Sequence, residues 1–497
     1  MDVLIVGAGI SGIGAAARLQ ERCPGKTYAI IEAREHLGGT WDLFRYPGIR
    51  SDSDMYTLSF PFKPWVNDKS IADGPDILAY LEDTAREFGV DRHIHYSQKV
   101  VRASWDSASA LWTVTAQTPA GEVQHTARML YAATGYYDYD SGHVVDFREQ
   151  DSFGGSIVHP QFWPEGLEVA GKRFVIIGSG ATAVTLLPAL IAQGAGHVVM
   201  LQRTPTYMLP LPGGDPIASI MRKVLPPKAV HRVVRGKNIA MNAGSFALMR
   251  RFPKAARSAL TAAARHALPQ GYPVDTHFNP PYDPWDQRLC VTPDSDLFEA
   301  ISSGRGEVVT AQIECFDETG IRLVTGEHVD ADVIITATGL KVVVAGKISI
   351  EVDGQPVAVN EGFIYKGLML SDVPNLVWCV GYTNASWTLR SDLTARWFCK
   401  LLNHLDEGGW TTATPRFDEP DTTGRPAIEL SAGYIQRALD VLPRQGQARP
   451  WTVRQNYFYD LTATLGGRID DGRLEMVRSM HAADPHWAPG LDAGAAS

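Results

Sequence analysis

GAGISG at Gly7–Gly12 follows the strand-like run DVLIV, and GSGATA at Gly178–Ala183 follows RFVII about 170 residues later. Each turn opens a stretch of helical periodicity. Strand, glycine turn and helix in that order build a dinucleotide site. Glycine permits the tight turn and the close approach of backbone to a pyrophosphate, which sits on the helix N-terminus. Two such units predict an α/β protein with two Rossmann-like dinucleotide-binding domains.

The residue ending the next strand separates the two units. TYAIIE ends in Glu32, whose carboxylate suits both hydroxyls of an adenosine ribose and would repel an added 2′-phosphate. HVVMLQR ends in Arg203, whose guanidinium can clamp that phosphate through paired charge-assisted bonds. The expectation is FAD on the first loop, through Gly7, Gly9, Gly12 and Glu32. NADPH is expected on the second, through Gly178, Ser179, Gly180, Thr182, Ala183, Arg203 and Thr204.

Both units close on one signature, MLYAATG ending at Gly135 and DVIITATG ending at Gly339. A helix near 74–88 and strands near 93–117 fill the first unit. After Gly339, mixed strands, the turn GYTNASW at Gly381–Trp387 and a helix over about 389–405 return to it. This predicts a discontinuous FAD-binding domain at 1–145 and 345–497, an NADP-binding domain at 150–212 and 284–340, and a helical insertion at 213–283.

With 497 residues, 45% hydrophobic and 20% charged, the chain can bury several cores, which excludes disordered and fibrous classes. Its five cysteines, Cys23, Cys290, Cys315, Cys379 and Cys399, are scattered without a CxxC, so neither a disulfide framework nor a metal site is expected. A strand starting at residue 2 leaves no leader, and no apolar run reaches membrane-spanning length, so a cytoplasmic location is expected. A net charge of −9 suggests no nucleic-acid partner.

That charge is unevenly spread. Pro216 to Val274 contains eleven Lys and Arg and no acid, so the remainder carries about −20. Ile217, Ile220, Met221, Val224 and Leu225 recur at helical spacing, and Pro253 stands where a helix would start. Three readings stay open: a helical subdomain with its apolar stripe in the core and its basic face solvated, peripheral contact with an anionic membrane through residues 216–270, or steering of NADPH.

Just before the second loop stands FGGSIVHPQFWP, Phe153–Pro164, of the form FxGxxxHxxxWP. With two dinucleotide loops around it, this segment resembles the fingerprint of the type I Baeyer–Villiger monooxygenases, and the similarity spans nearly the whole chain. GGTWDLFRYPGIRSDSDMYTL, LQRTPTY, PWDQRLC and VGYTNASWTL are most similar to the subgroup containing the mycobacterial ethionamide-activating monooxygenase. The resemblance implies NADPH-driven insertion of one oxygen of O₂ into linear or lipophilic ketones to give esters through a C4a flavin peroxide, with sulfides as further substrates. One alternative is a flavin N- or S-hydroxylating monooxygenase on the same scaffold, whose fingerprint usually has Tyr or Phe where Trp163 stands. An alternative of another class is a non-catalytic flavin-dependent redox sensor.

By the same resemblance, Arg288 is the arginine beside the flavin that stabilises its peroxide, and Asp52 is the acid that orients it, with Asp54 as competitor. His159 is carried over as a hinge between the NADP and FAD halves, against a purely structural role. Thr40, Trp41, Asp42, Tyr56 and Val100 would complete the flavin contacts. Gln287 stands where many members carry a lysine that helps hold the 2′-phosphate, leaving more of that task to Arg203 and Thr204.

Overall fold

The computed structural model describes residues 1–420 and 423–478. Its first sheet has five parallel strands in the order Leu376–Trp378, Met129–Ala132, Val3–Val6, Tyr28–Ile31, Ile94–His95. VLIV, YAII and MLYA are unbroken apolar runs because both sheet faces are covered. On one face lie the helices Ile10–Arg22 and Trp387–Gly408, joined by a buried 2.7 Å bond from Arg18 Nε to Asp392 Oδ1. The other face packs against a mixed layer in which Ser349–Val352 runs parallel to Lys99–Asp106 and Leu111–Thr118 antiparallel to it, with Trp105 and Trp112 in its core.

A second parallel sheet repeats the plan in the order Gly306–Thr310, His197–Gln202, Arg173–Ile177, Val333–Thr336, Ser156–Val158. In both sheets the glycine loop leaves the central strand, where the direction of winding reverses, and so opens into the crevice at the carboxyl ends. The two loops also share a steric requirement. Gly7 has φ +103°, and a Cβ there would lie 2.6 Å from the Ala133 carbonyl oxygen. Gly178 has φ +144°, and a Cβ there would lie 2.4 Å from that of Ala337. The paired ATG endings are thus the small-residue walls past which each glycine loop threads.

After Gly339 the chain adds Ser349–Val352 beside Lys99–Asp106 in the layer under the first sheet, and Leu376–Trp378 beside Met129–Ala132 in that sheet itself. Residues 479–497, assigned from the sequence to the same half, lie outside the described residues.

The insertion forms helices Pro216–Met221, Pro227–Arg251, Pro253–Ala267 and Val274–His277. Proline opens the first three, where its missing N–H costs nothing. The long helix is anchored by Arg235, buried, whose Nη1 donates to the carbonyls of Tyr56, Thr57 and Ser59 at 2.8, 3.1 and 2.9 Å. The core reading of the apolar stripe holds for Met221, which packs against Tyr56, Ala218, Val230 and Val234, and not for the other four residues. Ala218 is the one buried residue of the first helix, whereas Ile217, Ile220, Val224 and Leu225 face outward. Periodicity tells which residues share a face and says nothing of what that face meets.

Candidate active site

A cavity of about 520 Å³ lies between the two nucleotide halves. Its walls include Gly7, Gly9, Glu32, Thr40, Trp41, Asp52 and Val100 from the first half, and Thr182 and Arg288 from the second. One segment draws the halves together. Gly48, at φ +78°, passes so close to the helix Ala181–Ala192 that a Cβ would sit 2.6 Å from the Thr185 carbonyl oxygen. Arg50, two residues on, pairs with Asp296. Asp52 follows, which puts a first-half acid on the same cavity wall as a second-half arginine.

At that meeting point Arg288 is half-buried among Asp52, Tyr136, Tyr434 and Cys290. Desolvation opposes its charge, but Tyr136, Asp52 and Tyr434 outweigh it and hold the guanidinium above its ordinary value. Burial raises the Asp52 carboxyl, against the pull of Arg288 and Arg50. Asp54 is engaged elsewhere. It caps the helix Met55–Leu58, accepting from Thr57 N at 3.0 Å, and takes a 2.7 Å bond from Asn238 Nδ2. Of the two candidate acids, Asp52 lines the cavity together with Arg288, without an ion pair between them among the described residues, and Asp54 does not line it.

Glu32 is buried, with Oε2 accepting from Ala8 N at 2.7 Å and Oε1 from Arg34 N at 2.9 Å. Burial raises its carboxyl above the usual range despite those bonds. The helices Ile10–Arg22 and Ala181–Ala192 start at Gly9 and Gly180, and no side chain caps either. Their first-turn N–H groups are therefore left for an anion, the arrangement a pyrophosphate uses. Thr40 Oγ1 meets the Tyr137 hydroxyl, and Trp387 donates Nε1 to Ser11 Oγ at 2.7 Å while stacking on Tyr136.

Other residues singled out in the sequence stand off the cavity wall. Gly12 packs on the Gly7 carbonyl within the loop. Asp42 is buried between Arg34 and Arg45. Tyr56 is buried against the insertion, where Arg222 donates to its hydroxyl. Gly178, Ser179, Gly180 and Ala183 shape the second loop, and Ser179 Oγ donates to the Thr204 carbonyl at 3.0 Å. That bond sets Thr204 and the exposed Arg203 beside the loop; Arg203 has no ion pair among the described residues. Gln287 lies in the same tight turn as Trp285 and Asp286. His159 is in the linker, its ring against Gly142, with Nδ1 accepting from Gln161 N at 3.2 Å and Nε2 buried without a hydrogen-bond partner. Burial lowers its pKa.

Tyr434 was not legible in the sequence, since it arrives on the short helix Gly433–Gln436 without a motif. Tyr136 had a signal in directly following the ATG ending.

A sequence model for NAD(P)-binding Rossmann-like domains matches residues 5–68. The FAD-containing monooxygenase EthA of Mycolicibacterium smegmatis is 48% identical over 96% of this chain and 97% of its own. The probable FAD-binding monooxygenase AlmA of Acinetobacter baylyi is 45% identical over 99% of each chain. Among solved structures, an oxidized steroid monooxygenase bound to NADP superposes with a TM-score of 0.74 at 24% identity, over 96% of this chain and 99% of that one. The cyclohexanone monooxygenase of Rhodococcus sp. Phi1 bound to NADP⁺ gives 0.67 at 22%, over 83% and 86%. The structures show the shared fold, and the two curated relatives show the lineage: this chain belongs to the family of FAD-containing monooxygenases.

Proposed function

We propose that this NADPH-dependent flavin monooxygenase is a Baeyer–Villiger enzyme acting on linear or lipophilic ketones. The overall change balances as ketone, O₂, NADPH and H⁺ giving ester, NADP⁺ and water, with sulfides oxidised as a second class. The supporting observation is that Arg288 lines the same cavity as the first glycine loop, with Asp52 also on its wall.

FAD fits the uncapped helix start at Gly9, the buried Glu32 and the cavity walls at Thr40, Trp41 and Val100. NADPH fits the second uncapped start at Gly180, with Arg203 and Thr204 at the 2′-phosphate. The FAD half comprises 1–145 and 345–497, and the NADP half 150–212 and 284–340. Bound there, FAD would supply the redox chemistry, as acceptor of the NADPH hydride and activator of O₂.

The protein supplies charge, orientation and exclusion of water. Arg288 cannot lose its proton, so it remains a donor to oxygen that becomes anionic during transfer, in a site where water does not weaken the interaction. Asp52 orients that guanidinium and balances its charge. Tyr136 and Tyr434 close the surrounding space.

Arg288→Ala is the test. NADPH should still bleach the flavin, while ester formation from a ketone panel should fall by about a thousandfold, the scale for removing a preorganised donor to a developing oxyanion. Unchanged ester yield would sink the assignment.

A further inference from the structure

We propose that the tip of the helical insertion docks on an anionic lipid bilayer. Ile217, Ile220 and Val224 recur every three or four residues on the helix Pro216–Met221 and the turn after it, and Leu225 adjoins them. They are 47, 66, 79 and 40% exposed, in contrast to Ala218 on the inward side, which is fully buried. Four large aliphatic residues projecting from one short segment form a patch that water disfavours.

The charges around this patch select its occupant. Lys223, Lys228 and Arg232 are without ion pairs among the described residues. Two neighbouring acids are neutralised, Asp68 by Arg222 and Asp215 by Lys237. The tip is thus apolar at its centre and cationic at its rim, and the neighbouring acid left without an ion pair, Asp294, is turned to the backbone N–H of Gly213 at the segment's foot. A second copy seated on the same face by two-fold symmetry would bring these cations onto one another. Among the described residues no helix can cross a membrane, so the contact is peripheral.

The test is co-sedimentation of the full-length holoenzyme with vesicles of phosphatidylcholine alone or mixed with phosphatidylglycerol. It reads binding and does not depend on the reaction proposed above. Wild type should pellet with the mixed vesicles, be released by salt, and stay in solution with the neutral ones. Ile220→Glu with Val224→Glu should abolish pelleting. Lys223→Gln and Lys228→Gln should each weaken it about fivefold. These side chains are exposed, so an unchanged melting temperature will certify each variant's fold. Equal binding to both vesicles, pelleting unaffected by the substitutions, or no pelleting would overturn the proposal. So would a dimer in light scattering that the double glutamate variant dissolves while wild type ignores vesicles, an outcome assigning the face to a second copy.

Discussion

Trp387 and Ser11 are 376 residues apart in sequence, yet the indole Nε1 donates to the Ser11 hydroxyl at 2.7 Å. Ser11 lies in the first turn of the helix that the first glycine loop opens, and Trp387 begins the long C-terminal helix. Trp387→Phe keeps the stack on Tyr136 and removes the bond. A net hydrogen bond is worth about 1 kcal/mol, so FAD affinity should fall about fivefold with little change in melting temperature. Fluorescence titration of the flavin-free protein measures this, and unaltered affinity would show the bond to be irrelevant to the cofactor.

The two glycine loops should separate genetically. Gly7→Ala forces a Cβ against the Ala133 carbonyl and should yield protein without flavin; Gly178→Ala makes the same clash at Ala337 and should yield flavin-loaded protein that NADPH fails to reduce. Arg203→Ala removes a charge-assisted contact, so KM for NADPH should rise about ten- to a hundredfold while KM for NADH barely moves. Steady-state kinetics with both cofactors decide it; an equal rise for both would place the phosphate elsewhere.

Arg288 is held by the turn before it. Trp285 adopts φ +72°, a strained conformation for a bulky residue, with Nε1 donating to Met249 Sδ at 3.3 Å and its ring edge-on to Phe246. Asp286 pairs with Arg250 at 2.6 Å, and Ser431 donates N and Oγ to its carbonyl at 3.0 and 2.9 Å. The Arg250 pair is largely exposed and worth at most about 1 kcal/mol, so Arg250→Ala should lower ester formed per NADPH by less than about fivefold. Trp285→Ala removes the packing that holds the turn at this positive φ and should raise peroxide leakage far more. Product and hydrogen peroxide per NADPH give the comparison, and a larger effect from Arg250→Ala would reverse the ranking.

His231 predicts an acid limb in stability. It is buried on the long insertion helix, and burial together with the Arg235 charge lowers its pKa from 6.5 to about 4. The folded protein therefore keeps it neutral where the unfolded chain takes up a proton. Stability from this source is intact above pH 6.5 and is lost as pH falls toward 4, by about 3 kcal/mol in all. His231→Asn retains an acceptor for Trp65 N and should remove that part of the slope. Urea unfolding across the interval tests this through the difference between the proteins, which should vary with pH.

What the sequence disclosed follows the range of the physics behind it. Gly7 and Gly178 answer a local demand for positive φ, and Glu32 and Arg203 sit at fixed distances from them, so both nucleotide sheets were legible. Asp52 and Asp54 were not separable, because SDSD can serve a helix cap or a site; in the fold Asp54 is bonded to Thr57 and Asn238, while Asp52 lines the cavity. Tyr56, carried over by resemblance, lies under the insertion, and Tyr434 reaches Arg288 only through tertiary packing. Such convergences leave no spacing to read.

The edge strand Leu376–Trp378 has a bearing on synthesis. The second sheet acquires its last strand at Thr336, whereas the first, begun at Val3, must wait for Trp378. On the ribosome the later sheet is completed first, and the outer edge of Met129–Ala132 stays open while some 240 residues are translated before Leu376. A chain terminated between these two points would have every strand of its second sheet and an open edge on its first.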